Sequence, residues 1–409
     1  MRWGEQIIRV GKELKLNSIK WWFLNRKYHH FLSEKYGVFS GKLVSFNDLE
    51  HTDILYSKEI TLSYAPPVFW THAPSTLIND MKYVQYAAYF KNATVLGDSN
   101  LIVLPSGRVL YDLPFYDIEK RHLYIDFKIL NFKDKKISYW KGNKQTIDKV
   151  IWMGGNYSWN YYHFIYEFAI KFRKLRTLNI PVDIPVLIDQ VCLDVPQYKE
   201  ILYIFNKENR PLVGVARDGF FEVNELFYIN CPNFIPTDLK KGKIGNASGI
   251  QFDVEALRDL RNFLLPYSSS RTFPKRIFLS RKNASGKRSF NEDAVMQMLS
   301  EFEFEVVFPE SLSVVDQISL FNQAEWIIGG SGAAFANLLF CNHSCKVIII
   351  ARAHYPFSGF STIASALEID LLYLTEEDNN KNMIQGSIHD SFYIDTSYLK
   401  TQLLEIGLK

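Results

Sequence analysis

The chain has 409 residues, a length that suits two domains. Its 47 basic and 44 acidic residues are too evenly balanced for nucleic acid to be the main partner. No apolar run reaches the roughly 18 to 20 residues of a membrane span, the N-terminus lacks a signal peptide's apolar core, and the four cysteines form no CxxC pair, so the chain reads as a reduced, cytoplasmic protein.

Residues 1–35 read as a basic amphipathic helical segment: Ile7, Ile8, Val10 and Leu14, then Ile19, Trp21, Trp22, Phe23 and Leu24, lie among Lys and Arg. Such a helix can lie on an anionic membrane surface as a peripheral contact. It can equally dock on the protein body or on a second copy of the chain, which leaves a homodimer open.

Residues 36–148 form a β-rich section. Leu43–Phe46, Ala93–Leu96, Leu101–Leu104 and Arg108–Leu110 read as strands, with turns at Asp98-Ser99-Asn100 and Ser106-Gly107. At Lys149 the pattern changes. Residues 149–267 open on Lys149 to Gly155 and alternate strands (Val186–Asp189, Leu226–Ile229) with helices near Tyr161–Leu178, Tyr198–Phe205 and Asp253–Leu264, which suggests a parallel sheet. Ser268 to Arg271 reads as a linker.

Residues 268–385 give the clearest alternation. Arg276–Ser280 and Phe304–Phe308 are strands, Asn291–Phe302 is a helix, and Ser313 caps another helix with Asp316 three residues on. Then comes Trp326 to Ile350, WIIGGSGAAFANLLFCNHSCKVIII, read as strand, glycine turn, helix and strand. The crossover rule makes this a doubly wound sheet, whose ligands bind at the carboxyl ends of its strands. Residues 386–409 hold a terminal helix that is expected to pack back on the other lobe.

Four constellations could carry chemistry. At the glycine turn (Gly330, Ser331, Gly332, Ala333), free helix N–H groups and the helix dipole suit an anion; the other reading is close helix–strand packing. At the next strand end, Arg281, Lys282, Lys287 and Arg288, with Asn291 and Glu292, suit a phosphate-bearing ligand or form a solvated loop. Glu310 and Gln317 lie near a third strand end, where they can accept from sugar hydroxyls or serve capping and solvation. Far upstream, His163 and Glu167 are four apart on one helix face. They suit deprotonation of a hydroxyl; the alternative is an ordinary buried histidine. Cys341, His343 and Cys345 make no convincing zinc set.

The ordered pieces NYYHF with Glu167, Leu279-Ser280-Arg281 with Arg288 and Asn291-Glu292, Phe308-Pro309-Glu310 with Leu312-Ser313 and Gln317, and Gly329 to Asn337 together resemble the family-61 glycosyltransferases over roughly 150 to 350. The resemblance implies an α/β fold of GT-B-like type, two Rossmann-like lobes facing a cleft, with a β-rich N-terminal section. It also implies a nucleotide-sugar donor in the C-terminal lobe and inversion at the anomeric carbon. One departure is Ser331, where many members carry His; serine can bind phosphate but cannot act as a base. The nucleotide diphosphate is then expected over the Gly330 to Ala334 turn, with Arg281 and Arg288 balancing its charge. Glu310 and Asn337 would hold donor hydroxyls or order the loop, and His163 or Glu167 would activate a glycan or lipid-linked acceptor. No Asp-x-Asp pair stands at a convincing strand end, so neither metal nor cofactor is expected. A phosphotransferase and a non-catalytic scaffold in polysaccharide assembly remain as alternatives.

Overall fold

A computed structural model of the chain describes residues 35–49, 53–69, 75–111, 126–133, 135–235, 249–283, 289–352, 357–375 and 391–409. The basic N-terminal helix expected over 1–35 therefore lies almost wholly outside the described residues, and so does Arg288. Two sheets organise the rest. The larger contains β1 (Phe39–Val44), β2 (Asp53–Tyr64), β3 (Ile78–Leu96), β4 (Leu101–Val103), β5 (Arg108–Tyr111), β6 (Ile129–Lys133), β7 (Lys136–Tyr139), β8 (Asn143–Trp152), β9 (Val186–Asp189), β10 (Leu212–Val215) and β11 (Gly219–Ile229). The smaller contains β12 (Arg276–Leu279), β13 (Glu305–Val307), β14 (Trp326–Gly330), β15 (Lys346–Ala351) and β16 (Asp370–Thr375).

The larger sheet runs β10-β9-β8-β11-β3-β4-β5-β1-β7-β6, with β2 also on β3. Its first four strands are mutually parallel. This parallel run ends at β11, which lies antiparallel to β3, and parallel pairing returns only between β5 and β1. The N-terminal strands and those after residue 149 thus share one mixed sheet, where alternation alone suggested a parallel one. The physical reason is that β11 would otherwise be an open edge, and the long strand β3 covers it.

The smaller sheet is entirely parallel, in the order β13-β12-β14-β15-β16. Its residues alternate between two cores, as a pleated strand requires. Ile277, Leu279, Ile327, Val347 and Ile349 join a cluster with Ile318 and Phe321 of helix Val314–Gln323 and Ile363 of helix Gly359–Ala366. Phe278, Ile328, Ile348, Ile350 and Leu374 face Val295 and Leu299 of helix Glu292–Ser300, and Leu399 and Leu403 of helix Thr396–Glu405. Helices therefore cover both faces, and the order reverses at β12: the chain passes to β13 on one side and then to β14 on the other. A crevice at the carboxyl ends of β12 and β14 is the usual ligand position in such a sheet.

The terminal helix corrects one expectation. It packs on helix Glu292–Ser300 of its own sheet rather than on the larger one, because Leu399, Leu403 and Leu408 complete the apolar face that β12, β14 and β15 leave open. The two sheets are nevertheless joined through one buried cluster that runs from Ala87 to Tyr373 and includes Phe164, Phe168, Phe335 and Phe340.

Candidate functional site

The glycine turn sits at the switch in strand order. Gly329 and Gly330 still belong to β14, and the Ser331 N–H donates to the Ile350 carbonyl at 2.9 Å. At Gly332 the backbone is extended, with φ −177°. Ala333–Phe340 then form a 3-10 helix of eight residues, longer than such helices usually run. The glycines make room for particular side chains. Arg281 leaves the end of β12 and donates from Nη1 to the Ser331 carbonyl at 2.9 Å. A Cβ at position 332 would stand 1.8 Å from that same Nη1, and one at 330 would stand 2.6 Å from Cε1 of Phe290. A guanidinium is thus laid along the turn that opens the 3-10 helix.

Glu292 fixes the loop that carries Arg281. Its carboxylate accepts from the Ser280 hydroxyl and from the Arg281 N–H at 3.1 Å, and it stands in the first turn of helix Glu292–Ser300. Asn291 does something different from contacting a ligand: its side chain donates to and accepts from the Ile394 backbone, both at 2.9 Å, and pins the segment before the terminal helix. Lys282 pairs with Asp293 on the surface.

The second half of the site is one helical run. Asn160 caps it by accepting from the Tyr162 N–H at 3.0 Å. One α turn (Tyr161–His163) passes into a π-helix (Phe164–Ala169) and back to α-helix (Lys171–Leu175). Short π stretches inside helices often mark functional positions. At this junction Nδ1 of His163 is hydrogen-bonded to Oε2 of Glu167. The Glu167 side chain is 6% exposed and that of His163 18%, so the imidazole is the member of the pair that reaches outward. Tyr157 stacks on His163, with ring centroids 5.3 Å apart.

Two phenols fasten this run to the 3-10 helix of the glycine turn. Tyr161 Oη donates to Asn337 Oδ1 at 2.9 Å, and Tyr166 Oη donates to the Ala336 carbonyl at 2.6 Å. Burial pushes both phenols far up, which keeps them neutral donors. Asn337 is fully buried and passes the link on, donating to Gln317 Oε1 at 2.8 Å; Gln317 in turn donates to the Leu312 carbonyl at 3.2 Å. The structure therefore places Asn337 and Gln317 in the joint between the helices. Glu310 lies apart, exposed in a short 3-10 turn (Pro309–Ser311), and its backbone carbonyl accepts from Gln197 at 2.8 Å. Near it, Glu200 accepts from the Val314 and Val315 N–H groups at 2.8 and 3.2 Å and caps helix Val314–Gln323 from outside. Ser313 caps the same helix, accepting from Asp316 N–H at 3.2 Å, while the Asp316 carboxylate pairs with Arg271.

A buried acidic network stands behind the loop before His163, and sequence reasoning missed it. Asp189, at the end of β9, accepts from the Asp98 N–H at 2.7 Å and the Gly155 N–H at 2.8 Å. Asp98 accepts from the Tyr157 N–H at 3.2 Å and pairs with Arg217 at 2.7 Å. Asp126 holds the Asn100 N–H at 2.9 Å, and Asn100 holds the Asn156 N–H at 3.0 Å. Lys128 donates to the Lys141 carbonyl at 3.0 Å and lies 3.6 Å over the Trp140 ring. Burial pushes Asp189 up to about 7 and Asp126 up to about 6, and pulls Lys128 down to about 7. The available signal was a carboxylate at the carboxyl end of a strand, Val186-Leu187-Ile188-Asp189.

A strand-order reversal, an arginine along a glycine turn and a histidine paired with a carboxylate on an adjoining helix lie together here. Residues 161–348 match the family model described as Glycosyltransferase 61. Over those residues the chain is a family-61 glycosyltransferase domain, and the matched segment contains His163, Glu167, Arg281, Glu292, Glu310, Gln317, Ser331 and Asn337. No curated protein matches the chain. Among the described residues no helix is long and apolar enough to cross a membrane.

Proposed function

We propose that the chain is an inverting glycosyltransferase of GT-B-like arrangement that moves a sugar from a nucleotide-sugar to a hydroxyl of a glycan or lipid-linked glycan. The observation that carries this reading is the fastening of the His163–Glu167 helix, through Tyr161 and Tyr166, to the helix that begins at the Arg281-bearing glycine turn. It brings a base and an anion cradle onto adjoining elements.

The hydrogen bonds support the following roles. With its Nδ1–H given to Glu167, His163 keeps a lone pair on Nε2. That atom takes the proton of the acceptor hydroxyl as its oxygen attacks the anomeric carbon. The bond from that carbon to the diphosphate breaks, and its electron pair leaves on the phosphate oxygen. Arg281 and the first N–H groups of the 3-10 helix stabilise this developing charge. Glu167 orients and supports the imidazolium, so His163 is the base and Glu167 its partner. A single displacement inverts the anomeric centre. Arginine and helix N–H groups supply the charge that a metal would otherwise provide, and the reaction is proposed to be metal-independent. Capsular or other surface polysaccharide is the proposed product, made at the cytoplasmic face of a membrane that the basic N-terminal segment would touch.

The test is incubation with a panel of sugar-labelled nucleotide-sugars and glycan acceptors. Label is expected in the glycan with release of nucleoside diphosphate, and the His163→Ala, Glu167→Ala double variant is expected to lose turnover. Full turnover in that double variant would overturn the assignment of the base.

A further inference from the structure

Resting on the reading of His163 as the base, we infer that Tyr157 and Trp159 form an aromatic shelf for the acceptor sugar, with Tyr157 also positioning the imidazole. Tyr157 holds φ +67°, a left-handed conformation that is costly for a bulky residue. Three acceptors hold it, buried Asp189 on Gly155, half-buried Asn100 on Asn156 and buried Asp98 on Tyr157. The Asn160 N–H closes the loop by donating to the Tyr157 carbonyl at 2.8 Å. Strain enforced by a buried polar network calls for a use, and the ring shows one. It lies over His163 at 5.3 Å with an interplanar angle of 25°, and beside Trp159 at 5.7 Å.

Trp159 is 48% exposed and is the one tryptophan among the exposed large hydrophobic side chains of the described residues. Its backbone is fixed, because its carbonyl accepts from Tyr198 Oη at 2.8 Å. The three rings thus run in sequence from solvent to base: Trp159, Tyr157, His163. A pyranose has an apolar C–H face and hydroxyls at its rim. Stacked on a rigid aromatic face, it turns those hydroxyls sideways toward the neighbouring imidazole. The ligand class is therefore a neutral hexose or pentose ring of the acceptor.

The experiment uses the full chain as wild type, Trp159→Ala, Tyr157→Gly and Tyr157→Phe. Methyl β-glucoside, methyl β-galactoside and methyl β-xyloside are the acceptor probes, read by saturation-transfer NMR; UDP and GDP are the donor-side probes, read by thermal shift. Wild type is expected to transfer saturation to the ring C–H protons of at least one glycoside. Trp159→Ala is expected to weaken that binding roughly tenfold, about the worth of one stacked ring, and to leave the nucleotide shift unchanged. Tyr157→Gly relieves the strained φ and should melt no lower than wild type, yet lose at least about tenfold in kcat and shift the pH profile of kcat, since the base is no longer held in place. Tyr157→Phe keeps the ring and should stay within about twofold. Unchanged glycoside binding in Trp159→Ala, no glycoside binding in wild type, or a wild-type kcat and pH profile in Tyr157→Gly would each overturn the inference. Failure of wild type to bind either nucleotide would instead strike the glycosyltransferase reading and leave the glycoside result to decide the shelf.

Discussion

At Gly332 the backbone is extended, so φ and ψ accept alanine, and the obstacle to a side chain is the Arg281 guanidinium 1.8 Å away. That makes a clean pair of variants. Arg281→Ala removes a donor aimed at developing charge and should cost about 100-fold in turnover. Gly332→Ala only displaces the same group and should cost less, roughly tenfold, with little change in melting temperature. Equal activity of Gly332→Ala and wild type, measured as kcat on the best nucleotide-sugar, would separate the turn from the chemistry. Lys128 gives a prediction in pH. Burial holds it at about 7, against 10.5 for an exposed lysine, so from about 7 to 10.5 the unfolded chain binds more protons and stability rises with pH. Asp189 and Asp126 act below that window: their pKa values are raised, so the stability they contribute is lost as pH rises through 6 to 7. The melting temperature of wild type minus that of Lys128→Met should therefore grow between pH 7 and pH 10; a constant difference would contradict the buried-amine account. Arg281, Glu292 and the glycines could be read in the sequence because they lie in compact local patterns. Asp98, Asp126, Lys128 and Asp189 could not, since they come from separate strand ends and nothing local says that a polar side chain will be buried.

Helix type decides how the two halves of the site meet. Asn337 joins Tyr161 to Gln317 from a fully buried position, so Asn337→Ala leaves two buried polar partners unsatisfied. A loss of about 1 to 3 kcal/mol is expected from chemical denaturation, together with reduced turnover, because the joint sets the spacing between base and turn. A variant of full stability would show that the joint is not needed. The Glu200 cap is a smaller device, and Glu200→Ala should cost about 1 kcal/mol by the same measurement. The helices around both motifs were legible from apolar spacing, but their kinds were not: 3-10, α and π turns differ by less than a residue or so per turn, which short apolar runs cannot resolve. The hairpin β2–β3 also escaped notice, apart from the Ala93–Leu96 end of β3. β2 does carry Ile54, Tyr56, Ile60 and Leu62 at even spacing, but Lys58 interrupts the row and most of the strand is exposed, so burial lends it little contrast.

Both sheets contribute to one buried cluster, and further bonds tie the N-terminal section to helix Gly359–Ala366, which packs on the smaller sheet: Ser361 Oγ donates to the Ala65 carbonyl at 2.6 Å, and the Ala65 N–H donates to Thr362 Oγ1 at 2.9 Å. Unfolding in calorimetry should therefore be a single transition, and two resolved transitions would mean that the sheets are energetically separate units. The smaller sheet was legible almost in full, since each strand and helix follows the last in a simple alternation. The larger was not, because pairing β11 with β3 is a long-range choice made by an open edge. What unites the molecule is the reading that His163 and Arg281 serve one displacement. The most direct test is the fate of labelled sugar. With sugar-labelled nucleotide donors, wild type should place label in a glycan acceptor with the anomeric configuration inverted, and Arg281→Ala should fall about 100-fold below it. Transfer of phosphate without sugar, or retention of configuration, would contradict the account.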